Sequence, residues 1–207
     1  MDKMDIREVY NNIAYDFDNT RHKVWDVVEN FINSLNANCL VGDIGCGNGK
    51  NMYLSRKDIH FKGMDYSPEF VKICKQKNLD VIEGNILSIP FENETFDNII
   101  CVAVIHHLEK KTDRIKAIEE LIRITKKGGK ILIYVWAFTQ PQESKRKFKS
   151  NDEMVPYKKI NGEIYYRYYH LYNDEELEDE IQSTNINFNI INKGYDYGNH
   201  YVVIEKI

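Results

Sequence analysis

Apolar positions in the first 35 residues fall into two helical stripes. Val9, Ile13 and Phe17 recur every four residues, and Val24, Val27, Val28, Phe31, Ile32 and Leu35 follow an i, i+3, i+4, i+7 pattern. The spacing predicts two helices over 5–35, joined by the polar stretch Asn19-Thr20-Arg21-His22-Lys23. From residue 40 the pattern changes to short apolar runs at 40–44, 60–64, 79–82, 96–102 and 130–135, which read as buried strands. Helices are predicted between them. Ser67-Pro68 supplies an N-cap and a first-turn proline, while Thr112 caps a helix that turns Ile115, Ile118 and Ile122 inward and closes at Lys126-Lys127-Gly128-Gly129. An acidic helix over 173–181 precedes a closing hairpin, 188–193 and 201–206, joined through Asp196-Tyr197-Gly198-Asn199. This alternation predicts an α/β fold with a parallel sheet, helices on both faces, and ligands at the carboxyl ends of the strands.

One strand end carries a ligand loop. In Asp43-Ile44-Gly45-Cys46-Gly47-Asn48-Gly49-Lys50 the glycines permit positive φ and close approach of the backbone to a ligand. A dinucleotide fingerprint would need glycine at 50, and the G-K-S/T of a P-loop is absent. Asp43 would repel a pyrophosphate and suits a ligand bearing an ammonium group, such as S-adenosylmethionine. Asp65 ends the second strand 22 residues beyond Asp43, where a carboxylate can accept from both hydroxyls of a ribose. Asn85, Ala103-Val104-Ile105-His106-His107 and Trp136 fall at further strand ends.

Composition narrows the class without choosing a ligand. The 207 residues, 43% hydrophobic and 29% charged, suit one soluble domain, and no apolar run approaches the ~18 residues of a membrane span. Met1-Asp2-Lys3-Met4-Asp5 lacks the apolar core of a signal peptide. Cys39, Cys46, Cys74 and Cys101 show no C-x-x-C spacing; they read as buried free thiols in a reducing compartment and argue against a zinc site within this chain. A net charge of -4 argues against general coating of nucleic acid and leaves room for a local basic patch.

Such a patch lies late in the chain. Residues 141–160 carry six cations against three acids, including Lys145, Arg146, Lys147 and Lys149, and read equally as a solvated loop or a phosphate-contacting flap. Tyr165-Tyr166-Arg167-Tyr168-Tyr169-His170-Leu171-Tyr172 packs five aromatics and two basic groups into eight residues. A strand packing alternate tyrosines accounts for it, as does a stacking platform for a base beside an anion clamp.

The glycine loop, Asp65-Tyr66-Ser67, and Ile89-Pro90 ahead of Phe96-Asp97 together resemble class I S-adenosylmethionine-dependent methyltransferases. More narrowly, Val9-Tyr10 with Ile13-Ala14, Thr20-Arg21-His22-Lys23 with Trp25, residues 103–107, Ile133-Tyr134-Val135-Trp136-Ala137, Arg167-Tyr168-Tyr169-His170 and Tyr197-Gly198-Asn199 resemble the eukaryotic tRNA wobble-uridine carboxymethyl methyltransferases. The resemblance implies a Rossmann-like class I domain over 1–207: a seven-stranded, mostly parallel sheet, a C-terminal antiparallel hairpin, a helical cap over 1–35 and a basic, aromatic substrate-binding insertion over 138–172. It implies methylation of the carboxylate of 5-carboxymethyluridine in the tRNA anticodon loop. It also implies a small zinc-binding activator subunit, and a cytoplasmic location with the nucleus as a second compartment. Cofactor contacts are then expected from Asp43, Gly45, Cys46, Gly47, Asp65, Tyr66, Asn85, Ile86, Val102, Ala103 and Trp25. Asn85 departs from the aspartate many relatives carry there, though its amide oxygen can accept the same adenine hydrogen bond.

A carboxylate acceptor with a pKa of about 4 is ionised at neutral pH, so no general base is required and orientation by a cation is. Arg21, His106, His107, Arg167 and His170 are the candidates; Arg21 could instead bind the cofactor's carboxylate, with Trp25 or Tyr10 closing over it. Rival readings are a methyltransferase of a small-molecule or protein acceptor, a non-catalytic adaptor, and a nicotinamide oxidoreductase. The third strand, with the stretch Leu79 to Glu83, should lie at a sheet edge, where the activator would dock and cover Val81 or Ile82.

Overall fold

The computed structural model describes residues 4–53 and 56–207, so Met1-Asp2-Lys3 of the N-terminal segment lies outside it. Helices α1 (Ile6–Thr20) and α2 (Asp26–Asn33) lead into β1 (Leu40–Ile44) and a short α3 (Lys50–Tyr53). Then come β2 (His60–Asp65), α4 (Pro68–Gln76), β3 (Val81–Glu83), β4 (Phe96–Val102), α5 (Lys111–Ile124) and β5 (Thr125–Trp136). A hairpin of β6 (Asp152–Lys158) and β7 (Ile164–His170), α6 (Glu176–Gln182), β8 (Phe188–Asp196) and β9 (Asn199–Lys206) complete the chain. The main sheet runs β3-β2-β1-β4-β5-β9-β8, with β9 and β8 antiparallel, as the seven-stranded reading expected.

Side chains alternate across this sheet and build two cores. Ile131, Ile133 and Val135 of β5 face α5 and α6, while Leu132, with Val41, Ile100 and Val203, faces Val28, Phe31 and Ile32 of α2. Helix α1 is wedged differently. Val9 and Ile13 pack on Tyr157 of the hairpin, and Ala14 packs on Phe70 and Ile73 of α4, so α1 and the β6–β7 ribbon form one roof over the strand ends.

Four expectations change. The α5 N-cap is Lys110 rather than Thr112. The helix ends at Ile124, and Lys126–Gly129 belong to β5, where a register shift lets Gly129 pass against Asp97; a Cβ there would meet Asp97 O at 2.4 Å. The stretch 152–158 is a strand rather than patternless loop: Val155 and Tyr157 are buried and alternate with exposed neighbours. At the β3 edge, Val81 is already 2% exposed beneath its own helix layer, leaving half-buried Ile82 as the apolar group a partner could cover. Among the described residues, no helix is long and apolar enough to cross a membrane.

Candidate active site

The carboxyl ends of β1, β2, β4 and β5 and the roof enclose a cleft of ≈ 910 Å³. Its floor is the glycine loop. Gly45, Gly47 and Gly49 all adopt positive φ, and a Cβ at Gly45 would collide with Val104 at 2.3 Å, so this loop and the β4 end interlock only through glycine. A Cβ at Gly47 would meet nothing within 4 Å, because that position opens onto the cleft. Asp65 fixes the loop by accepting from Gly47 N at 2.8 Å and Ser67 N at 2.9 Å, and burial raises its pKa to about 6. Ala103 leaves β4 at φ 61, a strained conformation for a non-glycine residue, with its N–H donated to Tyr134 O at 2.8 Å.

Gly45, Cys46, Gly47, Asp65, Tyr66, Asn85, Ile86, Val102, Ala103 and Trp25 all line this cleft. Asp43 does not. It lies one layer beneath, fully buried, with Oδ1 unpartnered and Oδ2 facing Asn51 Nδ2 at 3.4 Å; burial raises its pKa to about 7. The Oδ1 of Asn85 accepts from Leu87 N at 2.9 Å, which fixes the amide and leaves its second lone pair for an adenine amino group. Trp25 stacks on Tyr134, ring centroids 4.7 Å apart, with Lys50 Nζ over its other side.

The cationic candidates separate into two groups. Arg21 and Arg167 line the cleft; His106 and His170 do not. His170 is the last residue of β7, at the open end of the hairpin, between Asp152 at 3.1 Å and Glu176 at 2.7 Å. Burial disfavours its charge, but those two carboxylates outweigh burial and its pKa is raised, so it serves as an ion-pair strut between β6, β7 and α6. His106 is fully buried behind Tyr169, on which it stacks at 4.6 Å, and its Nδ1 accepts from Trp136 N at 3.2 Å. Burial, then His107 and Arg167, hold it neutral. His107 does reach the cleft, yet both ring nitrogens are engaged: Nδ1 donates to Tyr168 O at 2.8 Å, which leaves Nε2 to accept from Tyr10 Oη at 2.7 Å. Burial pushes its pKa down to about 3.

Arg167 is different. It is 7% exposed, its Nε lacks a partner, and its guanidinium lies 5.3 Å from the Tyr157 ring and 5.2 Å from the Tyr169 ring. Among the described residues no carboxylate pairs with it. A buried arginine facing a cleft without an acid is suited to hold an anion, because a buried charge is stabilised by a charged partner. Arg146, which the sequence placed only in a basic run, lies over Trp136 at 4.4 Å, and Arg21 lies over Phe17 at 5.6 Å. Arg21, Arg146 and Arg167 therefore line one cleft together with Arg7, which is paired with Glu83, a convergence that no periodicity in 138–159 could reveal.

Residues 42–133 match a family described as a methyltransferase domain. The tRNA (carboxymethyluridine(34)-5-O)-methyltransferase of Schizosaccharomyces pombe is 34% identical over 223 residues, covering 97% of this chain and 96% of that protein. The tRNA (carboxymethyluridine(34)-5-O)-methyltransferase alkbh8 of Xenopus tropicalis is 32% identical over 98% of this chain, which spans 41% of that longer protein. Among solved structures, the Streptomyces caelestis CcbJ methyltransferase aligns with a TM-score of 0.77 at 12% identity over 98% of this chain and 99% of that one. A putative methyltransferase complexed with the Haloferax volcanii Trm112 methyltransferase activator aligns at 0.70 and 15% identity, over 98% and 97%. These two show a shared fold.

Proposed function

The chain belongs to the tRNA (carboxymethyluridine(34)-5-O)-methyltransferase family, and we propose that it converts the carboxylate of 5-carboxymethyluridine at the tRNA wobble position to its methyl ester, with S-adenosylmethionine as methyl donor. The observation that carries this reading is Arg167, a buried cation facing the cleft with no acid of its own.

The floor fits the cofactor. Gly47 leaves open space for it, and each Asp65 oxygen, having accepted one backbone N–H, keeps a lone pair for a ribose hydroxyl. The unpartnered Oδ1 of Asp43 lies beneath and suits a cationic ligand through its field rather than by contact. Bound there, S-adenosylmethionine supplies a methyl group activated by a sulfonium sulfur.

The remaining work is orientation. Arg167 grips one oxygen of an acceptor carboxylate and leaves the other free to react, while Tyr10 and Tyr169 wall the pocket. His106 is neutral and buried off the cleft, and His107 is neutral with both ring nitrogens hydrogen-bonded, so neither is a cationic clamp, and an ionised carboxylate needs neither as a base. Arg21 and Arg146 at the mouth suit phosphates of the surrounding anticodon loop. A small zinc-binding activator subunit is proposed for the β3 edge, where three residues end the sheet and Glu83 is paired with Arg7. Nucleoside mass spectrometry of tRNA from cells lacking the chain tests the reading: the free acid should accumulate as the ester disappears, and unchanged ester would favour a small-molecule or protein acceptor.

A further inference from the structure

One exposed aromatic, Tyr197, lines the cleft with its ring largely open and its hydroxyl alone engaged, by the Glu143 carboxylate. Asp196 pairs with Asn199 in the β8–β9 register, so Tyr197-Gly198 is a two-residue hairpin loop, and both residues have positive φ, 46° and 87°. Such turns favour Asn-Gly, because a bulky side chain in the left-handed region is strained. Gly198 is favoured by its φ of 87°, and a Cβ there would also displace the Gln140 side-chain amide, which lies 2.6 Å away. Nothing in the turn requires tyrosine before it.

The backbone around that tyrosine is fastened on every side. Asn199 Nδ2 donates to Asp196 O and Tyr197 O at 3.1 and 3.3 Å, and Gln140 Nε2 and Ala137 N both donate to Gly198 O at 2.9 Å. Tyr134 Oη donates to Asp196 Oδ2 at 2.8 Å, and Tyr195 Oη donates to Thr139 O at 3.1 Å. Yet Tyr197 itself is 73% exposed and lines the cleft that Arg146 also lines. A rigid turn thus holds an open aromatic face, at some cost in strain, on the cleft that Arg146, a cation with no carboxylate pair among the described residues, also lines.

We propose that Tyr197 is a stacking platform for a nucleobase flanking the acceptor nucleotide, with Arg146 beside it for the phosphate between them. This rests on the RNA-acceptor reading and adds a residue that distinguishes an anticodon loop from a free nucleoside. Every base offers a π-face to an aromatic ring, so the contact contributes affinity without selecting sequence.

The test uses the full chain and two acceptors, an anticodon stem-loop carrying 5-carboxymethyluridine and the free nucleoside. Tyr197→Asn suits the turn better than tyrosine and removes the ring; Tyr197→Phe keeps the ring and removes only the hydroxyl. Tyr197→Asn should raise KM for the stem-loop about tenfold. Its kcat and its KM for the nucleoside should stay within about twofold of wild type, and its melting temperature at or above wild type. Tyr197→Phe should match wild type throughout. 2-Aminopurine beside the acceptor should be quenched on binding wild type and Tyr197→Phe but not Tyr197→Asn. Equal stem-loop KM and equal quenching in all three proteins would overturn the inference, as would an equal rise in KM for both acceptors. A Tyr197→Asn chain that binds RNA normally but loses a protein partner would assign the ring to that interface and also overturn it. Turnover of neither acceptor by wild type would instead remove the RNA-acceptor reading, and this inference with it.

Discussion

The hydroxyl of Tyr10 donates to Nε2 of His107 across 2.7 Å, joining α1 to the end of β4 beside the cleft. Because Nδ1 of the same ring donates to Tyr168 O, His107 ties the floor to both parts of the roof. Tyr10→Phe leaves a buried ring nitrogen without a donor, which should cost about 1 to 3 kcal/mol in denaturant unfolding. Because His107→Phe also removes the bond to Tyr168 O, the double variant should lose less than the sum of the two single losses rather than regain stability. A double-mutant cycle with no coupling would show that the bond does not hold the roof.

Arg167→Met should lower kcat/KM on tRNA by roughly 30- to 1000-fold, the equivalent of about 2 to 4 kcal/mol of charge-assisted hydrogen bonding. Cofactor affinity should change only a few-fold. The melting temperature of the ligand-free protein should change little, since the charge removed has no acid partner but its contacts with Tyr10, Tyr157 and Tyr169 are lost with it. Lost cofactor binding in calorimetry, or a large loss of stability, would make Arg167 a packing residue.

The pH dependence of cofactor binding follows from Asp65. Its pKa in the fold is raised from 3.8 to about 6 by burial, so in the ligand-free chain it favours folding most below pH 3.8, and that contribution is lost as pH rises through 6. Ribose hydroxyls donate to the ionised form, so binding has the opposite trend. Affinity should fall as pH drops below 6, by at most tenfold per pH unit for Asp65, and Asp43, with a pKa of about 7, acts in the same direction, so the curve levels off only above 7. Titration calorimetry that finds affinity constant from pH 5 to 7.5 would remove Asp65 from the site.

The glycine loop, the strand runs and Asp65 were legible because each is a local pattern with a local cause: positive φ, burial on both faces, or a cap at Ser67. The hairpin strand 152–158 was obscured by Pro156, which lowers any strand reading and is tolerated here in a two-stranded ribbon. Choosing between His106 and His107 needed the 3-10 turn at Ile105–His107, which sends one ring to Trp136 N behind the wall and the other to Tyr10 in the cleft. Arg146 is placed by a ring ten residues earlier, Trp136, in a stretch without period. Asp43 sits in a strand whose alternation says which face it takes but not that Asn51 would screen it from the cleft.

A buried network joins α5 to α6. Glu180 Oε1 accepts from Arg114 Nε at 2.9 Å and Nη2 at 2.7 Å, and its Oε2 accepts from Tyr172 Oη at 2.9 Å. Removing one partner strands a charge, so Arg114→Met should cost about 3 to 5 kcal/mol, while Arg114→Met with Glu180→Leu should cost less. Equal losses in the single and double variants, measured by urea unfolding, would deny the pair its role.

The central claim is that the methylated atom is a carboxylate oxygen of a tRNA wobble nucleoside. The purified chain, with its activator subunit where activity requires one, can be given methyl-labelled S-adenosylmethionine and tRNA carrying 5-carboxymethyluridine at position 34. After digestion, mass spectrometry should find the label in the carboxymethyluridine methyl ester and nowhere else in the RNA, and mild alkali should release it, as an ester requires. Label that survives alkali on a base or ribose, or no label on the tRNA at all, would contradict the account.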